Sequence, residues 1–395
     1  MSHRPCHLFH RLPRWFRFIA LLAGSAGVPP AAAVVSIDGT RRNPSIEASA
    51  SLTDDSNVFM DDSRRRDVVR GASLSAEYTR RSGWLGLDAG LAVESSRFSS
   101  LRGQDFDNPS FHLDLLKRSG RTTGFLNLAA ARESRADALV NTRSTYWSFP
   151  AGFGVRYPVG GALALGSAVN HSARRYVDDV AFANLHTWSV SLDAIRIIDG
   201  TREIQVRYRH RRSETSRGTV SLDRAVSSGM SGRLVRGLQG DVHAGVQTRH
   251  ATGRGEHDGA FASWFAGGSA TYEISRRLRL TGSLAKDFTT TATDAMVDAA
   301  DLAVTADYKA TAGVSLTSSI RGGASRHLGR ATIASGAGAE QGRRDRFSGV
   351  DLTLSWAIAE HWRAAVTSGR FRNISTLGSA DFSRSTWSGR ISFRW

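Results

Sequence analysis

Ser385, Thr386, Trp387, Ser388, Gly389, Arg390, Ile391, Ser392, Phe393, Arg394 and Trp395 close the sequence. Trp387, Gly389, Ile391, Phe393 and Trp395 share one parity, and Ser388, Arg390, Ser392 and Arg394 share the other. Side chains alternate across a strand, so one face is apolar and aromatic while the other is polar and cationic. A soluble antiparallel sheet hides its apolar face under a second layer. The fold therefore turns on whether the remaining chain supplies that layer or whether lipid takes its place.

The same alternation recurs upstream. Ile46, Ala48, Ala50 and Leu52 alternate with Glu47, Ser49, Ser51 and Thr53, and Ala72, Leu74, Ala76 and Tyr78 with Ser73, Ser75, Glu77 and Thr79. Repeated to the end, the pattern predicts about eighteen strands of roughly ten to fourteen residues, with sixteen as the alternative. Short turns alternate with longer polar connections, as in outer-membrane barrels with short periplasmic turns and long outer loops. A solenoid would show a fixed short period, and none is present. After residue 34 no stretch approaches the ~18 apolar residues of a membrane helix. The expected fold is all-β, a transmembrane antiparallel up-and-down barrel.

Aromatic residues bracket the apolar stretches. Tyr78, Tyr157, Tyr272, Tyr308, Phe393 and Trp395 fall beside short turns, on what would be the periplasmic rim. Trp147, Trp188, Trp264 and Trp387 follow long connections, on the opposite rim. Two such belts are what a bilayer interface selects. The other parity carries Glu77, Asp88, Glu94, Arg207, Arg209, Arg211, Arg249, Arg279, Arg321 and Arg390, which are predicted to line the lumen. An Arg or Lys facing lipid at mid-depth would cost about 2–4 kcal/mol. An eighteen-strand barrel is too wide for wall side chains to fill, so a channel or an inward-folded segment is required. The nineteen residues His327–Asp345 can serve as that segment or as an outer loop.

The first residues read as a targeting segment. Arg4, Arg11, Arg14 and Arg17 precede an apolar run, Phe18–Val28, and Ala31-Ala32-Ala33 offers a small-residue cleavage site. The expected organisation is a signal peptide over 1–33, a short periplasmic lead over 34–43 and a barrel over 44–395. Cleavage removes Cys6, the sole cysteine, and with it any disulfide or thiolate metal site. It also removes four arginines and no acid, taking the net charge from +16 to +12. A basic excess can signal nucleic acid, but in an exported protein it suits lipopolysaccharide phosphates or an anionic saccharide or polysaccharide. Arg64-Arg65-Arg66 and Arg343-Arg344 with Arg346 are the clusters suited to phosphate.

Catalytic chemistry is thinly supported. His243, His250 and His257 are spaced by seven, which alternates strand faces, so they form no metal set. No Gly-x-Ser-x-Gly elbow stands out, and no cofactor is implied. A rim-located lipase or protease is carried as an alternative, beside a structural or docking barrel with an occluded lumen.

The stretch Leu52-Thr53-Asp54-Asp55-Ser56-Asn57-Val58-Phe59 resembles the type 2 β-barrel porins, outer-membrane barrels often associated with exopolysaccharide production. Asp55, Asn57, Val58 and Phe59 fit that family's strand exit, whereas Thr53 stands where an aromatic residue is common. The resemblance implies a barrel over 44–395, an outer-membrane location, and a part in saccharide or exopolysaccharide passage. Barrel-assembly machinery is the expected reader of the aromatic last strand. In physical terms, Asp55 and Asn57 suit an Asx turn that starts the first loop.

Overall fold

The computed structural model describes residues 42–81, 83–178, 180–253, 259–328 and 342–395. The targeting segment, the lead up to residue 41, His257 and most of the stretch between His327 and Asp345 lie outside the described residues.

The described chain forms eighteen strands. The first six are β1 (Arg42–Asp55), β2 (Asp67–Arg80), β3 (Leu85–Phe98), β4 (Phe106–Lys117), β5 (Thr123–Asp137) and β6 (Thr142–Pro158). Then come β7 (Leu163–Tyr176), β8 (Leu185–Asp199), β9 (Arg202–Thr215), β10 (Val220–Val235), β11 (Leu238–Thr252) and β12 (Gly259–Glu273). The last six are β13 (Leu278–Thr290), β14 (Met296–Lys309), β15 (Val314–Leu328), β16 (Arg344–Ala357), β17 (Trp362–Ser375) and β18 (Phe382–Arg394). Each pairs antiparallel with its chain neighbours, and β1 also pairs with β18, so one sheet closes on itself. The count is eighteen, not sixteen.

The wall is turned inside out relative to a soluble protein. On β8, Trp188, Val190 and Leu192 are 55%, 40% and 55% exposed, whereas Ser191 between them is buried. Leu74 on β2, Val246 on β11 and Ile320 on β15 repeat the pattern. Ionic contacts run across the other side: Arg209 on β9 reaches Asp287 on β13, four strands away. Contacts between non-adjacent strands must pass through the interior, so the ionic parity faces inward and the apolar parity outward. Apolar residues outside, charged ones inside and no open sheet edge is an arrangement that hydrocarbon stabilises and water does not. The protein is an outer-membrane β-barrel.

Two expectations need correction. The strands run from 12 to 17 residues, longer than the sequence pattern suggested. The ladders continue past the bilayer before turning, so several outer connections, expected to be long, are short. The β5–β6 and β9–β10 connections are residues 138–141 and 216–219, no longer than the inner turn 159–162 between β6 and β7. Alternation of short and long connections is therefore looser than predicted. The tightest inner turn that needs glycine is Arg236-Gly237, where Gly237 sits at φ +82°.

The ring closes between β1 and β18, from Glu47 opposite Arg394 to Asp55 opposite Thr386. At the outer end the seam is stapled. Arg384 donates to both carboxylate oxygens of Asp55, at 2.9 and 2.6 Å. Asp55 also accepts the Asn57 N–H at 3.0 Å, forming the Asx turn. Fully buried Asn57 accepts the Met60 N–H at 3.1 Å and donates to the Asp61 and Ser383 carbonyls at 2.6 and 3.3 Å. Phe59 lies 5.4 Å under the Arg65 guanidinium. At the inner end the Trp395 N–H donates to the Ile46 carbonyl at 3.0 Å. Replacing one member of a buried ion pair costs about 3–5 kcal/mol. Arg384→Gln is thus expected to lower the temperature at which the folded band converts to the unfolded one in heat-modifiability gels. An unchanged midpoint would show that the staple does not hold the seam.

Candidate functional site

The element that shapes the lumen is the β13–β14 hairpin. Its tip, residues 288–297, is rich in Thr and Ala and carries Phe288, Met296 and Val297, all at most 2% exposed. The turn is tight: the Thr291 N–H donates to the Ala295 carbonyl at 2.9 Å and Asp294 takes φ +69°. Such a tip cannot stand in water as a loop without exposing its apolar side, so it folds into the barrel mouth. There the Ala183 N–H donates to the Ala292 carbonyl at 2.7 Å, and Thr219 donates to Asp294 at 2.8 Å. Ala292 packs with Tyr146, Tyr176 and Phe182. Phe288 and Met296 pack with Ala251 and Leu328.

Arginines from β9 and β11 anchor the base of the hairpin. Asp287 accepts from Arg209 at 2.8 and 2.9 Å and from Arg211 at 2.9 and 3.1 Å. Arg211 also donates to the Phe288 carbonyl at 2.7 Å, and Arg249 to the Thr289 carbonyl at 3.0 Å. Asp223, fully buried on β10, accepts from Arg211 and Arg249 at 2.7 Å each. Arg209 lies 4.3 Å over the Phe265 ring. Three guanidinium groups thus meet two carboxylates across the outer half of the lumen. Bidentate pairing of this kind suits arginine and not lysine.

Bending the hairpin inward parts it from β12. β12 and β13 pair only from Glu273 opposite Arg279 up to Ala266 opposite Lys286. Above that point side chains close the wall: Lys286 donates to Ser263 at 3.0 Å and pairs with Asp298, and both charges are nearly buried. The Lys286 ammonium lies 5.2 Å from the Trp264 ring.

The register places the remaining predicted lumen residues as follows. Arg207 pairs with Asp193 at 2.6 Å. Arg279 pairs with Glu273 at 3.0 Å beside the inner turn. Arg321 lies 3.8 Å from Asp351 and 5.3 Å over the Phe371 ring. Arg390, opposite Ser51 and Ala365, is exposed. Glu77 and Asp88 approach His112, at 4.0 and 3.4 Å, and their ligand atoms lie within 4.8 Å of one another, so this trio can hold a divalent metal. Gly90 leaves room for the His112 ring; a Cβ there would lie 2.4 Å from it. Glu94 sits apart, opposite Ser73 and Asn108.

Arginines predicted to line an open, positive lumen are therefore largely neutralised. Asp223 and Asp287 were missed because their partners lie 12 to 78 residues away. The one local signal was the apolar content of the connection after Thr290. Arg343 also departs from its expected cluster. It is buried and donates to Asp345 at 3.0 Å and Asn141 at 2.7 Å, whereas Arg344 and Arg346 are exposed. Arg66 in the first loop is held by Asp54 at 2.8 and 2.6 Å, and this hydrogen bonding raises its pKa above the ordinary value.

The belt residues all fall on the outward parity. Tyr157, Tyr272 and Tyr308 are 42%, 43% and 41% exposed near inner turns. Tyr78 lies at the inner end of β2, opposite Pro44. Phe393 packs between Trp362 and Trp395, at ring distances of 4.8 and 4.4 Å. At the outer end, Trp188, Trp264 and Trp387 are 55%, 53% and 54% exposed, and Trp147 stacks on Phe149 at 6.1 Å.

No family model and no curated protein matches the chain. Among the solved structures to which the chain is similar are three from Pseudomonas aeruginosa. The outer membrane protein OpdK is 14% identical, with a TM-score of 0.43 over 89% of this chain and 99% of that one. OccK2 (OpdF) is 9% identical, with a TM-score of 0.46 over 90% and 97%. OccK8 (OprE) is 12% identical, with a TM-score of 0.41 over 90% and 98%.

Asp287 is the anion on which the hairpin anchor converges. In a chain carrying Ala292→Cys, Asp287→Asn is expected to raise the rate of labelling by a membrane-impermeant maleimide by at least about tenfold, because half-buried Arg209 loses its carboxylate partner and Arg211 keeps only Asp223. Equal rates in the two backgrounds would show that the ion pairs do not hold the tip.

Proposed function

We propose that the barrel is a narrow, passive channel for small anionic saccharides. One observation carries the reading. A lumenal recess of about 630 Å³ brings together Arg135, Arg174 and Arg321 with Phe347 and Phe371, alongside Asp137, Asp301 and Asp345, the last of which is already held by Arg343. The two rings stack at 5.8 Å, with Arg321 5.3 Å over the second. Guanidinium groups suit a carboxylate, and aromatic faces suit the C–H face of a sugar ring. A second recess, of about 670 Å³ on the opposite part of the wall, carries Arg118 with Asn170 and Gln205, while its Arg156 and Arg207 are paired with Glu203 and Asp193. The inward hairpin occupies part of the outer half of the lumen, which favours a small solute over a long polymer. Exopolysaccharide threading is accordingly the weaker form of the idea.

That same hairpin supports a second reading, a structural or docking barrel whose lumen stays occluded. Planar-bilayer recording separates the two. The channel reading predicts steady single-channel steps and a reversal potential favouring anions. It further predicts that Arg174→Gln with Arg321→Gln lowers the anion preference about two- to threefold. A silent protein that co-purifies with periplasmic partners would favour the docking barrel, and a cation-selective one would contradict the anion path.

A further inference from the structure

The outward face of β15, β16 and β17 carries a concentration of arginines that the lumen does not use. Arg326 stands directly opposite Arg344, and Arg346 follows two residues along on the same face. Arg370 and Arg372 stand on the next strand, opposite Val350 and Ser348. Arg326, Arg344, Arg346 and Arg370 are exposed and have no carboxylate partner among the described residues. Arg372 alone is paired, with Asp381 at 2.5 Å. Elsewhere on the outer rim outward arginines are fewer: Arg70 stands opposite Arg97, which Asp107 holds at 2.9 Å, and Arg212 is paired with Glu214.

Directly opposed side chains on neighbouring strands lie about 5 Å apart, and like charges at that spacing repel. An anion supplied from outside would relieve that repulsion. Its height on the wall identifies the source. Arg370 is opposite Ser385, two residues above Trp387 of the outer belt. Below it the same face turns apolar and exposed, with Ile320, Val350, Leu352 and Leu354. Among the arginines stands one exposed apolar residue, Ile374. Cations above an interfacial tryptophan and aliphatic side chains beneath match an amphiphile with phosphates on its head and acyl chains below.

We propose that this face binds one molecule of lipopolysaccharide through the phosphates of its lipid A. Arg344, Arg346 and Arg370 supply charge-assisted, bidentate-capable donors, and the aliphatic band beneath receives the acyl chains. The site is independent of whether the lumen conducts.

The test uses the full barrel purified in non-ionic detergent and native mass spectrometry with added bisphosphorylated lipid A. Wild type is expected to retain one lipid A. The triple variant R344Q/R346Q/R370Q is expected to bind at least about tenfold more weakly, for loss of several charge-assisted contacts. A control triple, R70Q/R175Q/R224Q, changes exposed outward arginines elsewhere on the wall and is expected to bind as wild type. Dephosphorylated lipid A should not be retained. Equal binding by the patch variant, equal loss in the control, or equal retention of dephosphorylated lipid A or phosphatidylglycerol would overturn the proposal. Folding of each variant is checked by heat-modifiability. Should the triple variant not fold, Arg346→Gln alone must still weaken binding, and raising salt must weaken wild-type binding; failure of either counts against the site.

Discussion

Closure of β1 on β18 is the constraint from which the rest follows. Every main-chain N–H and C=O in hydrocarbon needs a partner, and each one left unmet costs several kcal/mol. A sheet with free edges cannot live there; a ring can. Once the ring closes, each strand has one face toward lipid and one toward enclosed water. Period-two sequence then sorts itself, with Trp188, Val190 and Leu192 outside and Ser191 and Asp193 inside. Asp55, Asn57 and Arg384 fasten that closure at its outer end, joining residues more than 300 positions apart.

Enclosed water changes what the ionic residues do. An arginine unable to face lipid is forced inward, where it meets carboxylates forced inward for the same reason. The Arg209–Asp287, Arg211–Asp223 and Arg249–Asp223 contacts are the outcome. They hold the β13–β14 tip in the mouth, so stability and bore are set by one network. The wall responds: where the hairpin leans inward, ladder pairing with β12 stops, and Lys286, Ser263 and Asp298 take over. Replacing main-chain bonds by a nearly buried charge pair makes this the seam most sensitive to substitution.

Much of the fold was legible because its signal is local. Alternation along β8 or β18 needs only neighbours in sequence, and the aromatic positions beside turns need only the turn. The run Val220–Val235 makes a strand although its apolar parity is broken by Arg224, Ser228 and Gly232, because its inward positions, Ser221, Asp223 and Ser227, are polar in the required phase. What escaped was non-local. Arg211 says nothing in sequence about Asp287, 76 residues on, so a count of arginines overstated the charge of the lumen. In the connection after Thr290 the surrounding threonines obscure the apolar residues. Arg343 and Arg344 looked equivalent, yet a strand begins between them and sends them to opposite sides. The Asx turn of Asp55 and Asn57 was foreseeable, whereas the Arg384 that completes the staple was not.

The central claim is that one parity faces lipid and the other enclosed water. Cys6 is the sole native cysteine, so single cysteines can be introduced and spin-labelled along β16 after its replacement. In reconstituted bilayers, labels at Val350, Leu352 and Leu354 should collide with oxygen, and labels at Asp351, Thr353 and Ser355 with a water-soluble nickel chelate. Accessibility should alternate with a period of two. A flat profile, or the opposite phase, would contradict the barrel as described.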